Sequence, residues 1–134
     1  MPKTLYLVRH AKSSWDDPAL GDRDRPLSER GLSSAPDMGK RLAEQGHKPE
    51  LIISSPAKRA FTTAKKIAKE TGYRESKIVT DERMYFSGTR SMLDLLEGLD
   101  DKHKKVMIVG HNPALTSLLN ILCDQAISPS FIFI

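Results

Sequence analysis

The sequence predicts an α/β fold: a mostly parallel sheet flanked by helices on both faces. Two observations carry this expectation. Thr4-Leu5-Tyr6-Leu7-Val8, Leu51-Ile52-Ile53 and Val106-Met107-Ile108-Val109 are short runs apolar at successive positions, which suits strands buried between two layers. Between them lie stretches whose apolar residues recur three and four apart, so strands and amphipathic helices alternate, as a parallel sheet with helical crossovers requires.

The first strand ends at Arg9-His10. From Asp16 to Pro26 the chain is crowded with Asp, Pro, Gly and Arg and has no period, so it reads as a long loop, a kind of segment that is often functional in compact domains. A helix follows to about Gln45, with Ala35, Met38 and Leu42 on the sheet-facing side, Pro36 in its first turns and Gly46 as terminator. After Leu51–Ile53, Ser55 is suited to cap a helix with Pro56 in its first turn. That helix runs to about Gly72 on a stripe of Ala57, Ala60, Phe61, Ala64, Ile67 and Ala68. Ile78-Val79 reads as a short strand, and Met92, Leu95, Leu96 and Leu99 mark a third helix. Gly110-His111-Asn112-Pro113 then opens a fourth, with Leu115, Leu118, Leu119 and Leu122 facing inward, and Phe131-Ile132-Phe133 reads as a terminal strand. No repeat, low-complexity tract or linker divides the chain, so residues 1–134 are read as one domain.

A chain of 134 residues can remove roughly two thirds of its unfolded surface from water, enough for a sizeable core. With 39% apolar and 28% charged residues it is neither disordered nor a disulfide-stapled miniprotein in composition. Cys123 is the single cysteine, and Met1-Pro2-Lys3-Thr4 lacks the apolar run of a signal peptide, so the reducing cytoplasm is the expected location. No apolar stretch approaches the roughly 18 to 20 residues that span a bilayer. The net charge of +4 reads as a solubilising surface. Lys65, Lys66 and Lys69 have no interleaved aromatics on which bases could stack, so neither nucleic acid nor membrane is an expected partner.

In an open α/β sheet, ligands bind beyond the carboxyl ends of the strands, which directs attention to the residues following each one. Arg9-His10 follows the first strand, Arg59 stands just inside the helix after the second, and His111 follows the strand ending at Val109. Two guanidiniums and two imidazoles suit a phosphoryl dianion: arginine offers charged, planar donor forks, and histidine can donate or attack. Arg59 lies where the helix dipole disfavours a cation, and a bound anion offsets that cost. The alternatives are ordinary: a solvated Arg59, a His10 bonded at a strand end, and a His111 bonding backbone at a helix entry. The pairing of the two histidines, with Arg9 adjacent, outweighs them. His47 and His103 stand in polar surroundings and are assigned to the surface.

Spacing eliminates rival designs. A thiolate phosphatase needs Arg six positions after its cysteine, and six after Cys123 comes Pro129. Asp22-Arg23-Asp24-Arg25-Pro26 lies in a loop and lacks the threonine of an aspartyl phosphatase. Gly-x-x-x-x-Gly-Lys, His-Glu-x-x-His and dinucleotide fingerprints do not occur, so no cofactor or metal is expected.

These residues resemble the histidine phosphatase superfamily, whose signature is Arg-His-Gly near the N-terminus with a later Arg and a later His; here Ala11 replaces the glycine. Leu7-Val8-Arg9-His10-Ala11-Lys12-Ser13-Ser14-Trp15 and Asp24-Arg25-Pro26-Leu27-Ser28-Glu29-Arg30-Gly31 are similar to the small phosphohistidine phosphatase, or SixA-like, branch. Ser54-Ser55-Pro56-Ala57-Lys58-Arg59-Ala60 and Val109-Gly110-His111-Asn112-Pro113 match in order and spacing, so the resemblance spans roughly residues 3 to 123. It implies a phosphoglycerate-mutase-like three-layer architecture. His10 falls on the family's nucleophile, Arg9 and Arg59 on its phosphate-binding arginines, and His111 on its second histidine. Glu82 is similar in position to the proton-donating glutamate of the mutase relatives, its alternative being a solvated loop carboxylate. Ser13 is a candidate phosphate donor or a loop cap. The family usually continues past the last helix into further strand structure, whereas this sequence stops at Ile134, so the last strand region is expected to be missing.

The expectation is therefore a metal-independent phosphatase in which His10 carries the phosphoryl group, acting as a monomer on phosphohistidine in a protein. The rivals are a phosphatase of small phosphoesters, a mutase, and a catalytically silent module that binds phosphorylated proteins.

Overall fold

The structure, a computed structural model, describes residues 2–85, 88–124 and 130–133. Five strands form one sheet: β1 (Thr4–Arg9), β2 (Leu51–Ser54), β3 (Val79–Thr80), β4 (Lys105–Gly110) and β5 (Ser130–Phe133). Their order is β3-β2-β4-β1-β5, and every pair is parallel. The helices are α1 (Glu29–Glu44), α2 (Lys58–Thr71), α3 (Thr89–Glu97) and α4 (Ala114–Cys123).

Strand alternation divides the core into two layers. Leu5, Leu7, Ile53, Val106 and Ile108 face Met92, Leu96, Leu115 and Leu118 of α3 and α4. Tyr6, Val8, Ile52, Met107 and Val109 face Leu42 of α1 and Ala60, Ala64 and Ile67 of α2. Both faces of β1 and β4 are thus covered, which is why their sequences are apolar at successive positions rather than at every second one. The alanines of α2 let helices approach closely. A methyl group added at Gly39 of α1 would meet Glu70 Cβ at 2.9 Å and Ile67 Cα at 3.1 Å.

Four local expectations need correction. Helix α1 begins at Glu29, capped by the Ser28 hydroxyl accepting from Gly31 N–H at 3.1 Å. Pro36 therefore sits mid-helix rather than in the first turns. The acceptor it leaves without an N–H is the carbonyl of Leu32, a residue 46% exposed, so water can serve it. Helix α2 starts after Ala57, two residues beyond Ser55, so Ser55 is not its N-cap; the Ser55 hydroxyl accepts from Ala57 N–H at 3.2 Å just ahead of the helix and also meets His111, as described below. The short strand lies one residue later than Ile78-Val79. His47 is half-buried rather than superficial, its Nδ1 3.1 Å from the Tyr6 hydroxyl. The loop over Asp16–Pro26 contains one 3-10 turn at Asp22–Asp24, and α2 ends at Gly72 in the left-handed conformation, φ 78°. The terminal strand is present and pairs with β1 from Thr4↔Ser130 to Leu7↔Phe133.

Candidate active site

Strands β1 and β4 are neighbours whose onward connections diverge. β1 leads through α1 to β2, beyond β4, while β4 leads through α4 to β5, beyond β1. Such divergence opens a crevice at the carboxyl ends of the two strands. His10 follows one and His111 the other; the register pairs Arg9 with Gly110, and His10 N–H donates to Gly110 O at 3.0 Å. The two imidazoles face each other across the crevice with ring centroids 5.1 Å apart. The cleft measures about 520 Å³ and is lined by both histidines, Arg25, Arg59, Tyr85 and the entrance of α4.

Hydrogen bonds fix the chemistry of each ring. His10 Nδ1 lies 2.7 Å from the carbonyl oxygen of Ala11, which can only accept, so the proton sits on Nδ1 and Nε2 keeps its lone pair. Ala11 N–H donates to Thr63 Oγ1 at 3.0 Å, and Thr63 donates in turn to Arg59 O at 2.8 Å, which ties the segment after His10 to α2. Burial lowers the His10 pKa, with the charges of Arg59, Arg9 and Arg25 adding to it against the Ala11 bond. His111 Nε2 lies 2.8 Å from the fully buried Ser55 hydroxyl, and its Nδ1 lies 3.5 Å from Arg59 Nη2. A guanidinium only donates, so Nδ1 is the acceptor and Nε2–H donates to Ser55. Burial first, then the Arg59 charge, lowers the His111 pKa to about 4. Both rings are therefore neutral at neutral pH.

Arg59 is 4% exposed and donates through Nη1 to Asp22 O at 2.6 Å and through Nη2 to Asp22 Oδ2 at 3.0 Å. The Tyr85 hydroxyl donates to the same Oδ2 at 2.6 Å. Tyr85, then Arg59, hold the Asp22 carboxyl below its usual range. The loop over the cleft is thereby pinned to α2.

The structure brings His10, Arg59 and His111 together. It does not bring in Arg9 or Glu82. Arg9 is exposed at the end of β1 and does not line the cleft. Glu82 pairs with Arg23 at 2.5 Å, its side chain 70% exposed, and does not line the cleft either. The Ser13 hydroxyl accepts from Arg25 Nη1 at 3.0 Å, which connects it to the cleft only through that arginine. Sequence reasoning missed Arg25, Tyr85 and Asp22 as site residues and saw in Ser55 only a helix cap, not the partner of His111. Asp22-Arg23-Asp24-Arg25 alternates charge with no hydrophobic marker, so nothing local distinguishes the buried Arg25 from the exposed Arg23. Among the described residues, no group of three or more His, Cys, Asp or Glu side chains is arranged to hold a metal ion.

Two neutral imidazoles, one with a free ring nitrogen, and buried guanidiniums around a crevice at the strand ends have the chemistry of a candidate oxyanion seat with a candidate nucleophile at its base. The chain belongs to the histidine phosphatase superfamily (branch 1), whose family model matches residues 5–85. Among solved structures it is similar to the protein from Agrobacterium tumefaciens proposed to be the phosphohistidine phosphatase SixA, with 30% identity and a TM-score of 0.80 over 94% of this chain and 84% of that one. A tungstate complex of the protein histidine phosphatase SixA shares the fold, with a TM-score of 0.73 and 23% identity over 96% of this chain and 82% of that one. In sequence, an uncharacterized chloroplastic protein of Arabidopsis thaliana is 32% identical over 93% of this chain, which spans 61% of that relative's length. The 2,3-bisphosphoglycerate-dependent phosphoglycerate mutase of Brucella anthropi is 35% identical over 63% of this chain and 42% of its own length.

Proposed function

We propose that this chain is a phosphatase that carries the phosphoryl group on His10 Nε2 and acts on phosphohistidine in a protein. The observation that carries the reading is the Nδ1–H bond of His10 to Ala11 O, which leaves the Nε2 lone pair free beside Arg59 and His111. The Nε2 lone pair attacks phosphorus in line, and the bond from phosphorus to the leaving nitrogen breaks with its electron pair going to that nitrogen, so that a substrate ring protonated on its other nitrogen leaves as neutral imidazole. Arg59 and His111 stabilise the equatorial oxygens, and Arg9 adds its field from the end of β1. Water then attacks the phosphohistidine, its proton passing to the released phosphate while Nε2 regains its lone pair. The five-stranded unit acts as one catalytic domain.

The position of Glu82 favours a nitrogen leaving group. Paired with Arg23 away from the cleft, it is not placed to protonate an alkoxide. A phosphohistidine ring protonated on its other nitrogen departs as neutral imidazole, a far weaker base than an alkoxide, and needs no acid at the leaving nitrogen. The likeness to the Agrobacterium protein supports the same substrate class. A second reading, a small-phosphoester phosphatase or a mutase, is favoured by the similarity to the Brucella mutase. Release of phosphate from a phosphohistidine-bearing protein and from an alkyl phosphomonoester, compared at equal enzyme concentration, tests the proposal. Higher kcat/KM on the phosphoramidate supports it, and equal or higher kcat/KM on the ester, or phosphoryl return to phosphoglycerate, refutes it.

A further inference from the structure

The loop that crosses the cleft carries a second buried guanidinium with an unspent donor. Arg25 is 7% exposed and lines the cleft. Its Nη1 donates to Ser13 Oγ at 3.0 Å and to Ser14 O at 3.3 Å, and its Nη2 lies 3.5 Å from Asp22 Oδ1. Its Nε–H is buried without an acceptor, as is that of Arg59. Buried donors in native structures almost always find an acceptor, so an orphan pair in one cleft calls for an explanation.

Trp15 covers one face of this arginine. The indole lies over the guanidinium with Cζ 3.4 Å from the ring centroid, while Trp15 itself remains 75% exposed. A loop ordinarily does not leave so much aromatic surface in water; here one ring face shields the cation and fixes its plane. Asp22 shows what the two arginines together can hold. Its Oδ2 meets Arg59 and its Oδ1 faces Arg25, so one carboxylate bridges both guanidiniums. The two guanidiniums thus lie close enough for a single oxyanion to span them. The charge of Arg25 also reaches both imidazoles, lowering the pKa of each.

We infer that Arg25, held flat beneath Trp15, is a substrate-binding residue that takes a nonbridging phosphoryl oxygen alongside Arg59. The inference rests on the reading of the cleft as a phosphoryl seat. A loop staple alone would explain the bonds to Ser13 and Ser14, but neither the unspent Nε–H nor the position of Arg25 in the cleft wall.

Trp15 is the chain's single tryptophan, so it reports on its own neighbour. Inorganic phosphate is titrated into the wild-type protein, with binding followed by calorimetry and, separately, by Trp15 fluorescence. The expected result is a saturable fluorescence change whose midpoint matches the calorimetric Kd. Arg25→Lys, which keeps the charge but loses the planar fork, is expected to weaken phosphate binding about ten- to hundredfold, the range for a lost charge-assisted hydrogen bond. Trp15→Leu removes only an exposed ring, so it tests the same clamp if Arg25→Lys fails to fold, and it is expected to weaken binding severalfold. Equal phosphate affinity in wild type and either folded variant, with no fluorescence change, would overturn the role of Arg25 while leaving the seat intact. Absence of calorimetric binding to the wild type would instead overturn the seat itself, and this inference with it.

Discussion

Gly31→Ala is a small change with a large calculated effect. An isolated exposed helix gains about 1 kcal/mol when alanine replaces glycine, so propensity alone predicts stabilisation. The packing predicts the opposite. A β-carbon at position 31 would lie 2.2 Å from the carbonyl oxygen of Lys12. Carbon–oxygen contacts settle at about 3.3 Å or more, so Lys12 must retreat by roughly 1 Å. That oxygen accepts from Ser28 N–H at 2.8 Å and from the Ser28 hydroxyl at 3.1 Å, bonds that join the segment after His10 to the cap of α1. Overpacking costs about 1–3 kcal/mol, and weakening two hydrogen bonds adds about 1 kcal/mol, so the net destabilisation is about 1–3 kcal/mol after the propensity gain. The displacement also reaches the chemistry, because Ala11, next to Lys12, holds the His10 ring through its carbonyl. A misplacement of about 1 Å can cost on the order of a hundredfold in turnover. Urea unfolding and steady-state kinetics of the variant measure both effects. Gly21→Ala is the control, since its added methyl meets nothing within 4 Å. A Gly31→Ala protein as stable and active as Gly21→Ala would refute the packing argument.

The remaining predictions concern the cleft. Arg59→Ala should lower kcat on a phosphohistidine protein by about a hundredfold or more, while Arg59→Lys recovers only part of it because a point charge cannot span two acceptors. The histidines set the acid limb of activity: with His10 lowered by burial, kcat/KM should hold to below the ordinary histidine value of 6.5, and an acid limb at or above 6.5 in a pH profile would contradict this. The same depression acts on stability, with a definite sign. His111 binds its proton at about 4 when folded and near 6.5 when unfolded, so stability is greatest above 6.5 and declines as pH falls toward about 4, which urea titrations across that interval measure. Glu82→Gln should leave turnover within about twofold, because that carboxylate is spent on an exposed pair with Arg23; a loss of a hundredfold would place Glu82 at the leaving group after all.

Long-range order proved legible wherever a residue's character followed from burial. Leu5–Val8 and Val106–Val109 are apolar at successive positions because both sheet faces are covered, and this located the two strands whose ends carry the histidines. What failed to show was decided by partners distant in sequence. Pro36 signals a first turn by local rules, yet Ser28 caps the helix two turns earlier because its cap also clasps Lys12. Ser55 has the composition of a cap and its hydroxyl does accept from Ala57 N–H just ahead of α2, but its bond with His111, 56 residues away in sequence, has no local signal. Glu82 was placed by analogy of position, and the salt bridge to Arg23 turns it outward. Arg25 differs from Arg23 only in its tertiary surroundings, the Trp15 ring above it and the cleft beside it, and neither can be read from a local pattern.

The most direct test of the account is the trapping of a phosphoenzyme. The protein is mixed with a radiolabelled phosphohistidine-bearing protein, quenched in alkali within one turnover, and mapped for its label. The account predicts an acid-labile, alkali-stable phosphoryl group on Nε2 of His10, absent from His10→Ala, which releases no phosphate. Phosphate release by His10→Ala at a rate near wild type, or turnover by the wild type without label on His10, would contradict it.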